Sequence, residues 1–161
     1  MANKVYVATE TALTFQDSGG TAVITLNNLA ANVGRVSAQV DRGAGSRASR
    51  FLLEAKFEKG VAGVVGQIIT VCLFGGDGTN TDGNVGVVDA ALTATQALAA
   101  FFTLQVVVTT TATNTPIRQT CEVSLPLRRV SVGVVNSLTG LLRATANACV
   151  VTLTPMPDEV Q

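Results

Sequence analysis

General acid–base catalysis usually relies on histidine or on two carboxyl groups held close together. This chain has no histidine. Glu54 and Glu58 fall on one face of an alternating segment, but Lys56 sits between them, which is the pattern of a solvated strand surface. The single tyrosine is Tyr6. Cys72, Cys121 and Cys149 carry thiols, yet a cysteine nucleophile needs an activating base and none is apparent. The three cysteines are far apart, odd in number and outside any Cys-x-x-Cys pattern, so neither a disulfide framework nor a zinc site is expected. Each lies in a strand-like run and is read as a small hydrophobe with a free thiol. With these parts of a catalytic constellation missing, the chain is expected not to be an enzyme and to use no cofactor.

Asp77, Gly78, Thr79, Asn80, Thr81, Asp82 and Gly83 form a loop with oxygen-bearing side chains. A calcium loop of the EF-hand type places oxygen ligands at alternate positions and a glutamate at the twelfth. Counted from Asp77, the third and fifth positions are Thr79 and Thr81, and the twelfth is Val88. The loop therefore reads as an exposed turn, and no metal site is expected. Gly75, Gly76, Asp77 and Gly78 lack the Gly-Lys-Ser/Thr ending of a phosphate loop. Positive charge concentrates at Arg35, Arg42, Arg47 and Arg50 around a Gly/Ser turn, with Asp41 to offset it. This is either a solvated hairpin tip or a contact to carboxylates on a protein partner, with Arg42, Arg47 and Arg50 as the contact residues. No aromatic residue is interleaved to stack on bases, so nucleic acid is not expected.

The elements that must position these groups are strands. Phe51, Leu53, Ala55 and Phe57 alternate with Leu52, Glu54, Lys56 and Glu58. Val36, Ala38 and Val40 alternate with Arg35, Ser37, Gln39 and Asp41; Ala22, Ile24 and Leu26 with Val23 and Thr25; Cys121, Val123 and Leu125 with Thr120, Glu122 and Ser124. Period-two alternation marks half-buried antiparallel strands. Runs 68–74, 102–108, 130–135 and 149–153 are apolar on both faces, as in central strands or strands covered by a partner. Breakers fall between the runs, including Asn27-Asn28, Asn114-Thr115-Pro116 and Thr139-Gly140. Residues 89–100 suit either a helix capped by Asp89, burying Leu92 and Leu98, or a loop. The spacing predicts one all-β domain over 1–161, an antiparallel sandwich of jelly-roll or immunoglobulin-like topology, with arms at 1–15 and 155–161.

Composition bounds the rest. The 161 residues are 47% hydrophobic and 14% charged, with 11 acidic and 11 basic side chains. A chain this size can bury a sizeable core. Zero net charge supplies no global attraction to nucleic acid or membrane. No apolar run is long enough for a membrane helix. The start lacks a signal-peptide pattern, so maturation in a cytoplasm is expected. The low charge and two-faced strands predict a covered surface, most simply a homo-oligomer, with a dimer ahead of a trimer.

One resemblance adds to this reading. Val71, Cys72, Leu73 and Phe74 end an apolar strand, the Asp77 loop follows, then Asp89 and the strand 101–108. Arg128, Arg129, Val130, Ser131, Val132, Gly133, Val134, Val135 and Asn136 then lead to Gly140, and the chain ends with residues 152–161. Over roughly 50–161 this resembles small head proteins of tailed bacteriophages, of the cement or decoration type. The resemblance implies a jelly-roll sandwich on the capsid exterior, made in the host bacterial cytoplasm, with the major capsid protein as partner and no catalytic residues. The alternatives are a phage tail or tube subunit and a lectin-like receptor-binding sandwich, the latter disfavoured by the absence of tryptophan.

Overall fold

A computed structural model describes residues 10–43, 48–125 and 127–156. Among the described residues, eleven strands form two packed sheets. They are β1 (Leu13–Gln16), β2 (Ala22–Val23), β3 (Val33–Val36), β4 (Val40–Asp41), β5 (Arg50–Phe57), β6 (Ile68–Gly76), β7 (Ala90–Leu92), β8 (Phe102–Val107), β9 (Ile117–Ser124), β10 (Arg129–Asn136) and β11 (Val150–Met156). One sheet runs β2-β1-β11-β5-β9; the other runs β7-β3-β10-β6-β8, with β4 also on β10. The expected β-sandwich is present. The chain pairs with itself from its ends inward: β1 with β11, β3 with β10, β5 with β9 and β6 with β8, all antiparallel. The exception is β2, which runs parallel to β1 rather than antiparallel. Asp17, just past β1, accepts the Leu26 and Asn27 amides and so ties the segment after β2 to the end of β1.

Alternation places the main core as read. Phe51, Leu53, Ala55 and Phe57 are buried together with Ile69, Val71 and Leu73 from the facing sheet. Leu13 and Phe15 join them, so the proposed arm at 1–15 is corrected: its last residues are strand, because they pair beside β11 and put their apolar side chains into the main core. Pro155 and Met156 likewise finish β11 on β5, so the proposed tail at 155–161 begins as strand. Residues 1–9 and 157–161 lie outside the described residues. The turns at Asn28 and Asn114 have φ of 55° and 56°, the left-handed region that asparagine tolerates better than most side chains.

Several expectations change. Val36 faces Gly133 and Val40 faces Val130, so three residues of the β3–β4 segment stand opposite two of β10. This bulge turns the strand over. Val36 packs on the outer face of its sheet, while Ala38 and Val40 pack in the main core. The run 102–108 is not central: β8 is an edge strand. The two-faced runs in β6 and β10 are central strands, as one of the two readings had it, and their outer face is covered by the chain itself. Val85, Leu92, Ala97 and Ala100 lie over Cys72, Phe74, Val36 and Val135 in a second, smaller core. The covering segment contains a 3-10 turn (Asp82–Asn84), β7 and one helical turn, α1 (Ala94–Ala97). Thr93, not Asp89, caps α1 through a capping box with Gln96. Leu92 is buried, but Leu98 is 86% exposed.

Candidate partner interface

The arginine tip divides into one interior and one exterior residue. Arg42 follows β4 and its side chain is 1% exposed. Its Nη1 donates to the carbonyls of Leu125 and Leu127 at 2.8 Å, and Nη2 to Glu10 Oε2 at 2.8 Å and to the Ala48 carbonyl. Its guanidinium lies over the Phe51 ring, 4.7 Å from the centroid. The same Glu10 oxygen accepts the Ala48 amide. Arg42 therefore leaves no guanidinium surface for a partner. It is corrected from a contact residue to a tie joining the N-terminal segment, the base of the tip and the end of β9. The attraction of Glu10 and of these three carbonyls draws it inward. Beside it, Glu10, Thr11, Leu13, Thr21, Val40, Asp41 and Arg42 line a cavity of about 380 Å³.

Arg50 begins β5 with its side chain 48% exposed and paired to Glu122 at 2.5 Å. Arg47 lies outside the described residues. Arg35 is not at the tip but pairs with Asp89 at 2.7 Å, whose carboxylate also takes the Thr25 amide and hydroxyl.

Arg128 and Arg129 were missed as site residues by charge clustering, because they lie 78 positions beyond Arg50 in the chain. The antiparallel register sets Arg129 directly opposite Asp41. Arg128 grips Asp41 with two parallel bonds of 2.8 Å, and Arg129 adds contacts at 3.0 and 3.1 Å. Arg128 holds the Asp41 carboxyl far below its ordinary range, helped by the Gly43 amide and by Arg129. Arg129 also donates to the Asp77 carbonyl, tying the Asp77 turn to this corner. A visible signal existed: an Arg-Arg pair at the start of a strand-like run.

The Asp77 turn is closed on itself. Asp77 Oδ1 accepts the Thr79 and Asn80 amides at 2.8 and 2.7 Å, and Asp82 Oδ2 accepts the Gly75 amide. Those backbone donors hold the Asp77 carboxyl below its usual range. Among the described residues no group of three or more His, Cys, Asp or Glu side chains is placed to hold a metal.

The two glutamates singled out for chemistry separate. Glu54 sits on the outer face of β5 with Arg118. Glu58 lies beyond β5 and is corrected from a solvated to a buried residue, held by Arg143 and, at 3.4 Å, by Lys56. All three cysteines are free thiols, as read. Burial pushes Cys72 and Cys149 up to about 11, and Cys121, half-buried on β9, upward as well. Such thiols are poor nucleophiles at neutral pH. No helix among the described residues is long and apolar enough to cross a membrane.

Compared with protein-family models, with curated proteins and with solved structures, the chain matches none.

Proposed function

We propose that this protein is a jelly-roll structural protein of a virion, a cement or decoration protein that binds the outside of a phage capsid. The observation that carries the reading is the order of strand pairing. Leaving aside the short strands β2, β4 and β7, the remaining eight pair first with last and inward to β6 with β8. A nested pairing of this kind, rolled across two sheets, supports the jelly-roll reading. Three of the segments behind the resemblance, β6, β8 and β10, lie side by side in one sheet, while the ending from Thr152 belongs to β11 in the other. A sandwich of this kind acts by binding. It stabilises a shell by preferring the assembled, expanded lattice over free subunits, and repetition over the lattice multiplies weak contacts.

Arg47 and Arg50 remain the proposed capsid contacts, since arginine pairs bidentately with carboxylates on a facing surface. The test is co-sedimentation of the purified protein with expanded heads that lack it, across a salt series. The parent protein is expected to pellet with the heads and to raise their thermal disruption temperature. Replacing Arg47→Glu and Arg50→Glu together should weaken pelleting and alter its salt dependence. Absence of pelleting by the parent would overturn the function; unchanged pelleting by the double variant would overturn only the contact.

A further inference from the structure

We infer that two copies of this chain join through β8, edge to edge and antiparallel across a two-fold axis, extending the β6-bearing sheet from one protomer into the next. Three observations lead there. First, β8 is a six-residue edge strand, and among the described residues it has no neighbour on its outer side. Natural edge strands of this length are normally blunted by charge, proline or a bulge. β8 lies within residues 90–117, a stretch without one charged side chain. Second, the adjoining edge of the other sheet, β9, is blunted in the usual way: Arg118 and Glu122 stand on it, tied to Glu54 and Arg50 of β5. The remaining edges, β2 and β7, have two and three residues. β8 is thus the one long edge among the described strands that carries no charged side chain. Third, the core reaches solvent along this side. Phe102 and Leu104 of β8 pack against the main core but are only partly buried, and Phe101 and Val107 are 39% and 42% exposed.

The occupant is a second copy because of charge. When a strand pairs antiparallel with itself, any charge it carries meets the same charged strand, and like charges opposite one another destabilise the pair. β8 carries none. Residues opposed in an antiparallel pair point to the same face, so the axis must pass through a residue rather than between two. On Leu104 it sets Phe102 against Val106; on Gln105 it sets Leu104 against Val106. Both registers keep Phe102, Leu104 and Val106 on the core side and Thr103, Gln105 and Val107 on the outer side. A two-fold contact of this kind closes on itself and stops at a dimer.

This inference does not rest on the capsid reading: a chain that dimerises and ignores capsids leaves it standing. The test is sedimentation equilibrium of the full chain over a concentration series. The parent is expected to dimerise. Gln105→Lys and Val107→Lys, both at outward positions, should weaken the dimer by about tenfold or more while the circular dichroism stays that of the parent. Thr120→Lys, on β9, should leave dimerisation unchanged. Cysteine pairs give a second measurement should the lysine variants fail to fold. Under oxidation, Gln105→Cys chains should link to one another if the axis lies on Gln105. Mixed Thr103→Cys and Gln105→Cys chains should link if it lies on Leu104, with the bond located by peptide mass spectrometry. A parent that stays monomeric at all concentrations, or a dimer that survives both lysine substitutions and forms neither cross-link, overturns the proposal.

Discussion

At the scale of single residues, Arg42 shows how a charge that looks available becomes structural. Four of its five guanidinium donor hydrogens go to one carboxylate and three carbonyls, Nε is left buried without a partner, and its flat face rests on Phe51. Removing one member of a buried pair strands the other, at a cost of about 3–5 kcal/mol. Arg42→Met, which keeps the apolar stem and removes the cation, is expected to lower unfolding free energy by that order in urea denaturation. A change no larger than that of a surface substitution would show that Arg42 ties nothing. Asp41 makes a pH-dependent contribution. Its folded-state pKa is depressed by Arg128, the Gly43 amide and Arg129. The stabilisation is therefore present above the ordinary value of 3.8 and lost as pH falls through the lower folded-state value. Asp41→Asn should melt below the parent at neutral pH, and the gap should close as pH drops beneath 3.8. A gap that is constant with pH would mean that the carboxylate charge contributes nothing. Alternation revealed neither role, because period two tells which face a side chain takes and not which distant atoms share that face.

At the scale of elements, the covering segment decides what the outer face of the β6–β10 sheet is for. Its fit depends on Gly133, where an added Cβ would stand 2.7 Å from Leu92 Cδ2 and 2.8 Å from Phe74 Cε2. Overpacking of this kind costs about 1–3 kcal/mol. Gly133→Ala is expected to destabilise by that amount and to loosen residues 85–100 first, seen as faster amide exchange there than in β5. Equal exchange in both regions would argue that the cover and the sandwich unfold as one. The two-faced apolar runs of β6 and β10 were legible, and so was their need for cover. The source of the cover was not, because residues 89–100 suit a helix and a loop equally and neither reading says which strands Leu92 lies over. The cover removes one of the two reasons for expecting an oligomer, leaving the low charge and the bare edge of β8. The bulge between β3 and β4 was hidden for a related reason: an unbroken alternation over 35–41 cannot show that the partner strand is one residue shorter.

At the scale of the whole molecule, the ends of the chain are joined by β1 on β11, and β1 contributes Leu13 and Phe15 to the core. Deleting residues 1–16 removes a fully buried phenylalanine, worth about 3–5 kcal/mol by itself, and uncovers the edge of β11. The truncated chain is expected to lose its cooperative thermal transition by circular dichroism; an unchanged transition would make β1 a dispensable arm. The sequence by itself determined that this is a β-sandwich, where most of its strands lie and which side chains of β5 and β9 face inward. Those properties depend on local periodicity and on turn residues such as Asn28 and Asn114, which act within a few positions. Only the tertiary structure decided that β1 meets β11, that β8 lies at an edge, that Arg42 points in and that Arg128 and Arg129 answer Asp41. Each of these depends on pairing between segments tens of residues apart, whose register is set by core packing and bulges rather than by any local pattern.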